Sequence, residues 1–135
     1  MKTAVISFTE RGNSLNEEIS VKLKADSFKS AKKIRYLTEK IFKEYDAVIF
    51  IGAAGIAVRA VAPNIKSKDT DPAVLVCDEA GKFVIPILSG HIGGANSLAE
   101  KIAGLVNAVP VITTATDVNG IWAADSWAAK NNMHI

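Results

Sequence analysis

The run ILSGHIGGAN, residues 87–96, sets Ser89, His91 and Asn96 among three glycines, directly after an apolar stretch and directly before a helical one. A neutral imidazole at His91 can take a proton from water, and main-chain N–H groups of Gly93 and Gly94 at the start of the following helix can hold an oxyanion. That pairing is the chemistry of ester or lactone hydrolysis. A histidine that merely holds a tight turn is the competing assignment, and residue types alone leave both open. Ser89 lacks the leading glycine of G-x-S-x-G, so binding or loop capping suits it better than nucleophilic attack. Asn96 either caps the helix or orients a substrate oxygen.

Three further stretches carry groups of the same kind. In GAAGIAVR, residues 52–59, Gly52 and Gly55 let backbone approach an anion, and Arg59 suits a carboxylate; close helix–sheet packing explains the glycines equally well. Neither the G-x-G-x-x-G fingerprint nor a phosphate loop ending in Gly-Lys-Ser/Thr is present, which weighs against a nucleotide or phosphate-ligand domain. APNIKSKDTDPAV, residues 62–74, offers Lys68 and Asp71 as polar substrate contacts, although a solvated loop has the same composition. TTATDVNG, residues 113–120, presents Thr113, Thr114 and Asp117, able to cap a turn or to bind carboxylate or amide edges.

These stretches must be positioned by strands and helices. TAVISF, DAVIFIG, PAVLVCD and VPVITTA, starting at Thr3, Asp46, Pro72 and Val109, are apolar at successive positions, as strands covered on both faces are. KFVIPIL follows PAVLVCD so closely that only an antiparallel hairpin can join them, and Pro86 within it argues for an edge. KADSFKS reads as a short edge strand or a loop. Helical patterns cover 15–23 after the cap-like Asn13 and Ser14, then 30–45, 55–61 and 95–106. Strands alternating with helices predict an α/β fold: a three-layer, Rossmann-like open sheet, mostly parallel, with one antiparallel hairpin strand. Ligands of such sheets sit beyond the carboxyl ends of the strands. One pocket shared by residues 9–14, 52–59, 89–96 and 113–120 is therefore expected.

A chain of 135 residues suits a single domain, expected to be the amino-terminal part of a longer protein. A net charge of +2 gives no general reason to bind nucleic acid, and the basic run at 32–43 reads as a solvated helix face. Cys77 is the single cysteine, so no internal disulfide forms; it belongs to an apolar strand and should be core. His134 lies at a terminus, and Trp122 and Trp127 should pack a last helix or cover a neighbouring segment. No grouping of His, Cys and acidic residues has metal-ligand spacing. No signal pattern or membrane-length apolar run occurs in the sequence, so the cytoplasm is the expected compartment and no membrane partner is expected.

The long run from Gly52 to Ala103, followed by PVITTATDVNG and the D-x-W-A of Asp125 to Ala128, resembles the amino-terminal part of the cobalt-precorrin-5A hydrolases (CbiG) of anaerobic cobalamin biosynthesis. The resemblance extends from about Val48 to Ala128. It implies hydrolytic opening of the δ-lactone of cobalt-precorrin-5A, with release of acetaldehyde to give cobalt-precorrin-5B. The substrate it implies is a cobalt tetrapyrrole ringed by carboxylates, so that cobalt arrives with the substrate and no separate cofactor is needed. Members of the family are longer and carry a further carboxyl-terminal domain, which would complete the pocket; a homodimer is the other partner considered. A tetrapyrrole-binding module without chemistry of its own is the alternative function.

Overall fold

The computed structural model describes residues 1–90 and 93–114. Six strands form one sheet in the order β2-β1-β3-β4-β5-β6, where β1 is Thr3–Ser7, β2 Asp26–Phe28, β3 Ala47–Ile51, β4 Ala73–Cys77, β5 Phe83–Ser89 and β6 Val109–Pro110. Every neighbouring pair is parallel except β4–β5. The helices are α1 Glu10–Leu23, α2 Ile34–Glu44, α3 Ala54–Val61 and α4 Ala95–Val106, with a short 3-10 turn at Ala62–Asn64. The expected α/β sheet, hairpin strand included, is the one observed.

Strand periodicity divides the core. Ala47, Ile49 and Ile51 of β3, with Leu75 and Cys77 of β4, pack against Ile19 of α1 and Leu98, Ala99 and Ile102 of α4. The intervening Val48, Phe50, Val74 and Val76 face Ile41 of α2 and Ala57, Ala60 and Val61 of α3. All five residues of each of β1, β3 and β4 are buried, which is why their sequences are apolar throughout rather than alternating.

Several element boundaries differ from expectation. Helix α1 starts five residues earlier than the pattern suggested, because Thr9 is its cap: the Thr9 hydroxyl accepts from the Gly12 amide at 3.1 Å. Asn13 is instead a brace inside the helix, accepting from the Ser7 hydroxyl at 2.6 Å and from the Ser30 amide at 3.0 Å. Helix α2 starts later than residue 30, because Ser30 and Lys33 both have φ of 51°, outside the right-handed helical region. The ambiguous segment around Asp26 is an edge strand in register with β1. The run at Val109 pairs with β5 through two residues only, not along its whole expected length.

Pro86 does not mark a sheet edge, since β6 lies outside β5. It marks an irregularity. Leu75 faces Pro86 while Val74 faces Leu88, so Ile87 is an extra residue on the β5 side, and β6 pairs only with Phe83 and Val84. A bulge is one of the places in a sheet where proline is found.

Two buried groups lead to measurable consequences. The Thr38 hydroxyl is fully buried with no hydrogen-bond partner among the described residues, a cost that valine at the same shape would remove. Thr38→Val should therefore raise the unfolding free energy by about 1 kcal/mol in urea titration. Cys77 is buried as expected, and its thiol is pushed up from the usual 9.0 to about 12, chiefly by burial and secondarily by Asp78. The folded state thus keeps a proton that the unfolded thiol releases. Stability from this group is complete below pH 9 and declines as pH rises toward 12. At pH 8 an aromatic disulfide reagent should leave Cys77 unmodified in the folded chain and titrate it fully in denaturant.

Candidate functional site

A cavity of about 320 Å³ opens where the antiparallel strand returns to the start of β4. Its wall is apolar: Ile65, Pro86, Ile87 and Leu88. Its rim is polar, carrying Lys68, Asp71, Ser89, Asn96, Thr113 and Thr114. Residue types alone do not single out this wall, although the proline within a strand pattern marks it. By displacing the register at Ile87, the irregularity lets the last turn of β5 line a cavity instead of continuing a regular ladder.

Gly90 closes the floor. Its φ is +80°, and a Cβ there would come within 2.4 Å of the Ala73 nitrogen, so both conformation and space require glycine. Gly93 has φ of +62° but open space around it, and its amide donates to the Gly90 carbonyl at 3.0 Å to close a turn. The expected oxyanion donor at Gly93 is therefore already occupied. Gly94 is the cap of α4, with no side-chain cap, and the first intrahelical bond after it is Leu98 N–H to Gly94 C=O. The amides of Gly94, Ala95 and Asn96 have no acceptor among the described residues, and they carry the positive end of a twelve-residue helix.

Asn96 is not the helix cap. Its side-chain amide donates to the Thr114 hydroxyl at 3.1 Å and ties the start of α4 to the segment leaving β6. Asp71 is buried, and its Oδ2 accepts from the Lys66 amide at 2.9 Å and the Ser67 amide at 3.1 Å. Lys68 is exposed on the turn that these bonds hold. His91 and Asp117 lie outside the described residues, as do Trp122, Trp127 and His134.

The remaining expected residues are elsewhere. Gly52 lies beyond the carboxyl ends of β1 and β3, in a crevice with Phe8, Thr9 and Asp78, and its amide donates to the Cys77 carbonyl at 2.9 Å. Arg59 lines a cleft between α2 and α3 with Arg35 and Pro63, its guanidinium lying over Gly55. The groups expected in a single pocket are thus divided among the cavity, the crevice at Gly52 and the α2–α3 cleft at Arg59. The physical reason is direction: β5 and β6 run opposite to β1, β3 and β4, so β5 ends at the amino end of β4, with Ser89 facing Ala73, and the segment after β6 runs on the same way to bring Thr113 and Thr114 to the cavity. Across five-residue β4 the crevice at Gly52 and the cavity stand roughly 13 Å apart.

Among the described residues there is no group of acidic, Cys and His side chains able to hold a metal ion, and no helix long and apolar enough to cross a membrane. Fold and cavity together define an α/β open-sheet domain with a ligand cavity beside its antiparallel strand pair.

Comparison with known proteins narrows this class. Residues 36–117 match the family model described as cobalamin synthesis G N-terminal. A cobalt-precorrin-5A hydrolase of Salmonella typhimurium is 57% identical over 94 residues, covering 70% of this chain and 27% of the relative. One from Priestia megaterium is 51% identical over 85 residues, covering 63% of this chain and 23% of the relative. A solved structure of a protein described as a cobalamin biosynthesis protein G homolog, from Sulfolobus solfataricus, superposes with a TM-score of 0.72 at 30% identity, over 97% of this chain and 45% of that one. The chain belongs to the cobalamin synthesis G N-terminal family. It spans about a quarter of the length of the first two relatives.

The two glycines of the loop should respond differently to the same change. Gly90→Ala should cost more than about 3 kcal/mol, since it adds a backbone clash to an unfavourable φ. Gly93→Ala should cost only about 1 kcal/mol, from φ alone, as measured by chemical denaturation of both variants.

Proposed function

We propose that this chain forms the amino-terminal, substrate-holding part of a cobalt-precorrin-5A hydrolase, acting in cobalamin biosynthesis to open the δ-lactone of cobalt-precorrin-5A. The observation that carries the proposal is the family match over the residues that build the cavity. An apolar wall with a polar rim suits one edge of a flat macrocycle and the oxygen-bearing groups projecting from it. In this reading His91, two residues before Gly93, removes a proton from the attacking water. The amides of Gly94, Ala95 and Asn96, which have no acceptor among the described residues, receive the negative charge that develops on the lactone oxygen. Water adds to the carbonyl, the ring C–O bond breaks, and the released alkoxide takes up a proton. Loss of the two-carbon fragment as acetaldehyde then gives cobalt-precorrin-5B.

The protein supplies binding and proton transfer in this scheme, and the cobalt is cargo of the substrate. Lys68, Ser89, Thr113 and Thr114 serve as rim contacts; Gly52, Gly55 and Arg59, which do not line this cavity, do not contact the same edge. A further domain or a second copy of the chain would cover the open side of the cavity. The cytoplasm suits such a biosynthetic step and a single buried thiol.

The test is acetaldehyde release from cobalt-precorrin-5A by this chain and by a full-length relative. The corresponding His→Ala change in an active protein should lower the rate by about a hundredfold to ten-thousandfold. An unchanged rate removes the imidazole from the mechanism. Substrate binding without acetaldehyde release by this chain would make it the tetrapyrrole-holding module, with chemistry completed elsewhere.

A further inference from the structure

Resting on that assignment of the cavity, we infer that Lys68 is the anchor for a ligand carboxylate and that Asp71, although it lines the same cavity, is a positioning residue acting through Lys68. The turn between Lys66 and Asp71 is organised internally. Asp71 Oδ2 gathers the Lys66 and Ser67 amides, the Thr70 and Asp71 amides donate to the Ser67 carbonyl at 3.1 and 2.9 Å, and the Asp69 amide donates to the Ser67 hydroxyl at 3.0 Å. The turn is fastened to the sheet at its end, where the Ala73 amide donates to the Asp46 carbonyl at 2.9 Å. Lys68 sits at the crest of this turn, on the cavity rim, and forms no salt bridge among the described residues.

The charges divide the two roles. A carboxylate ligand is repelled by Asp71 and attracted by Lys68, so the contribution of the acid to binding runs through the place where it holds the ammonium. Its negative charge is turned inward onto two amides, and only 6% of its surface is exposed. A turn held before the ligand arrives lowers the ordering cost of binding. The neighbouring wall of Ile65, Pro86, Ile87 and Leu88 sets the other requirement, a flat apolar body from which the carboxylate projects.

The experiment titrates the intact chain with uroporphyrin, a metal-free tetrapyrrole bearing eight carboxylates, and with its uncharged octamethyl ester, by fluorescence. Lys68→Met should weaken binding of the acid about fivefold and leave the ester unchanged. Asp71→Ala should weaken the acid by a similar factor, and the double variant should be no weaker than Lys68→Met alone, the non-additivity expected of residues acting as one unit. Asp71→Asn, which keeps an oxygen for the two amides, should recover most of the binding. Amide hydrogen exchange at Lys66 and Ser67 should accelerate in Asp71→Ala and stay unchanged in Lys68→Met. Additive effects of the two changes, or acid binding that ignores Lys68, would overturn the inference while leaving the cavity assignment standing. Binding that survives Ile87→Trp, which fills the cavity, would place the probe elsewhere and overturn both.

Discussion

The antiparallel return of β5 along β4 is the constraint on which the site depends. In a fully parallel sheet every strand would deliver its following loop to the same edge, and the groups at 52–59 and 89–96 would meet. Here one hairpin reverses the direction of β5, and β6 runs parallel to it. The loops after β5 and β6 are thereby carried to the amino end of β4, where the turn holding Lys68 enters the sheet. Gly90 is the point of closest approach, because its bare Cα lies against the Ala73 backbone and any side chain would separate the two. Strand direction, rather than any one side chain, decides which residues can act together.

The rest of the domain keeps that junction rigid. β3 and β4 are buried on both faces, and the two apolar clusters clamp the sheet between α1 with α4 and α2 with α3. Close packing of this kind is barely compressible, so residues at strand ends hold their spacing. A buried polar network does the same on the far side. Asn16 donates to the Val5 carbonyl and the Ser7 hydroxyl and accepts from Ser20 and Ser27, joining α1, β1 and β2 with its side-chain hydrogen-bonding groups engaged. Such a satisfied network fixes register where the short edge strand has little apolar surface to offer.

Much of this was legible in the sequence, and the errors have identifiable causes. Continuous apolar runs announced the doubly covered strands, and the short DEAGK connection announced the hairpin. The start of α1 was misplaced because Asn13 has the composition of a cap but uses its side chain to join Ser7 and Ser30, while Thr9 does the capping. The start of α2 was misplaced because left-handed φ at Ser30 and Lys33 leaves no trace in residue type. For the site, Lys68, Asp71, Ser89, Asn96, Thr113 and Thr114 were brought together as a group, whereas Gly52, Gly55 and Arg59 were not. The hairpin already contained that correction. A rule about carboxyl ends applies strand by strand, and the reversal of β5 moves its carboxyl end to the other side.

Cavity size bears on how the proposed substrate would be held. At about 320 Å³ the cavity is near the lower bound of small-ligand sites, which run from about 300 to 1,000 Å³. A four-ring macrocycle with its peripheral acids is larger than that space, so only an edge can enter and most of the ring must remain outside. The part of the orientation that this chain supplies then comes from the rim. A lysine at the crest of a fixed turn is suited to this, because a compact ammonium on a flexible stem can meet a carboxylate over a range of ring tilts, where a planar guanidinium would demand one. In the proposed scheme the start of α4 works differently: its amides, with no side-chain cap among the described residues, point in one fixed direction and discriminate by position. The proposed scheme thus divides the labour between an adaptable charge at Lys68, which gathers the ligand, and fixed donors at the start of α4, which read the reacting oxygen.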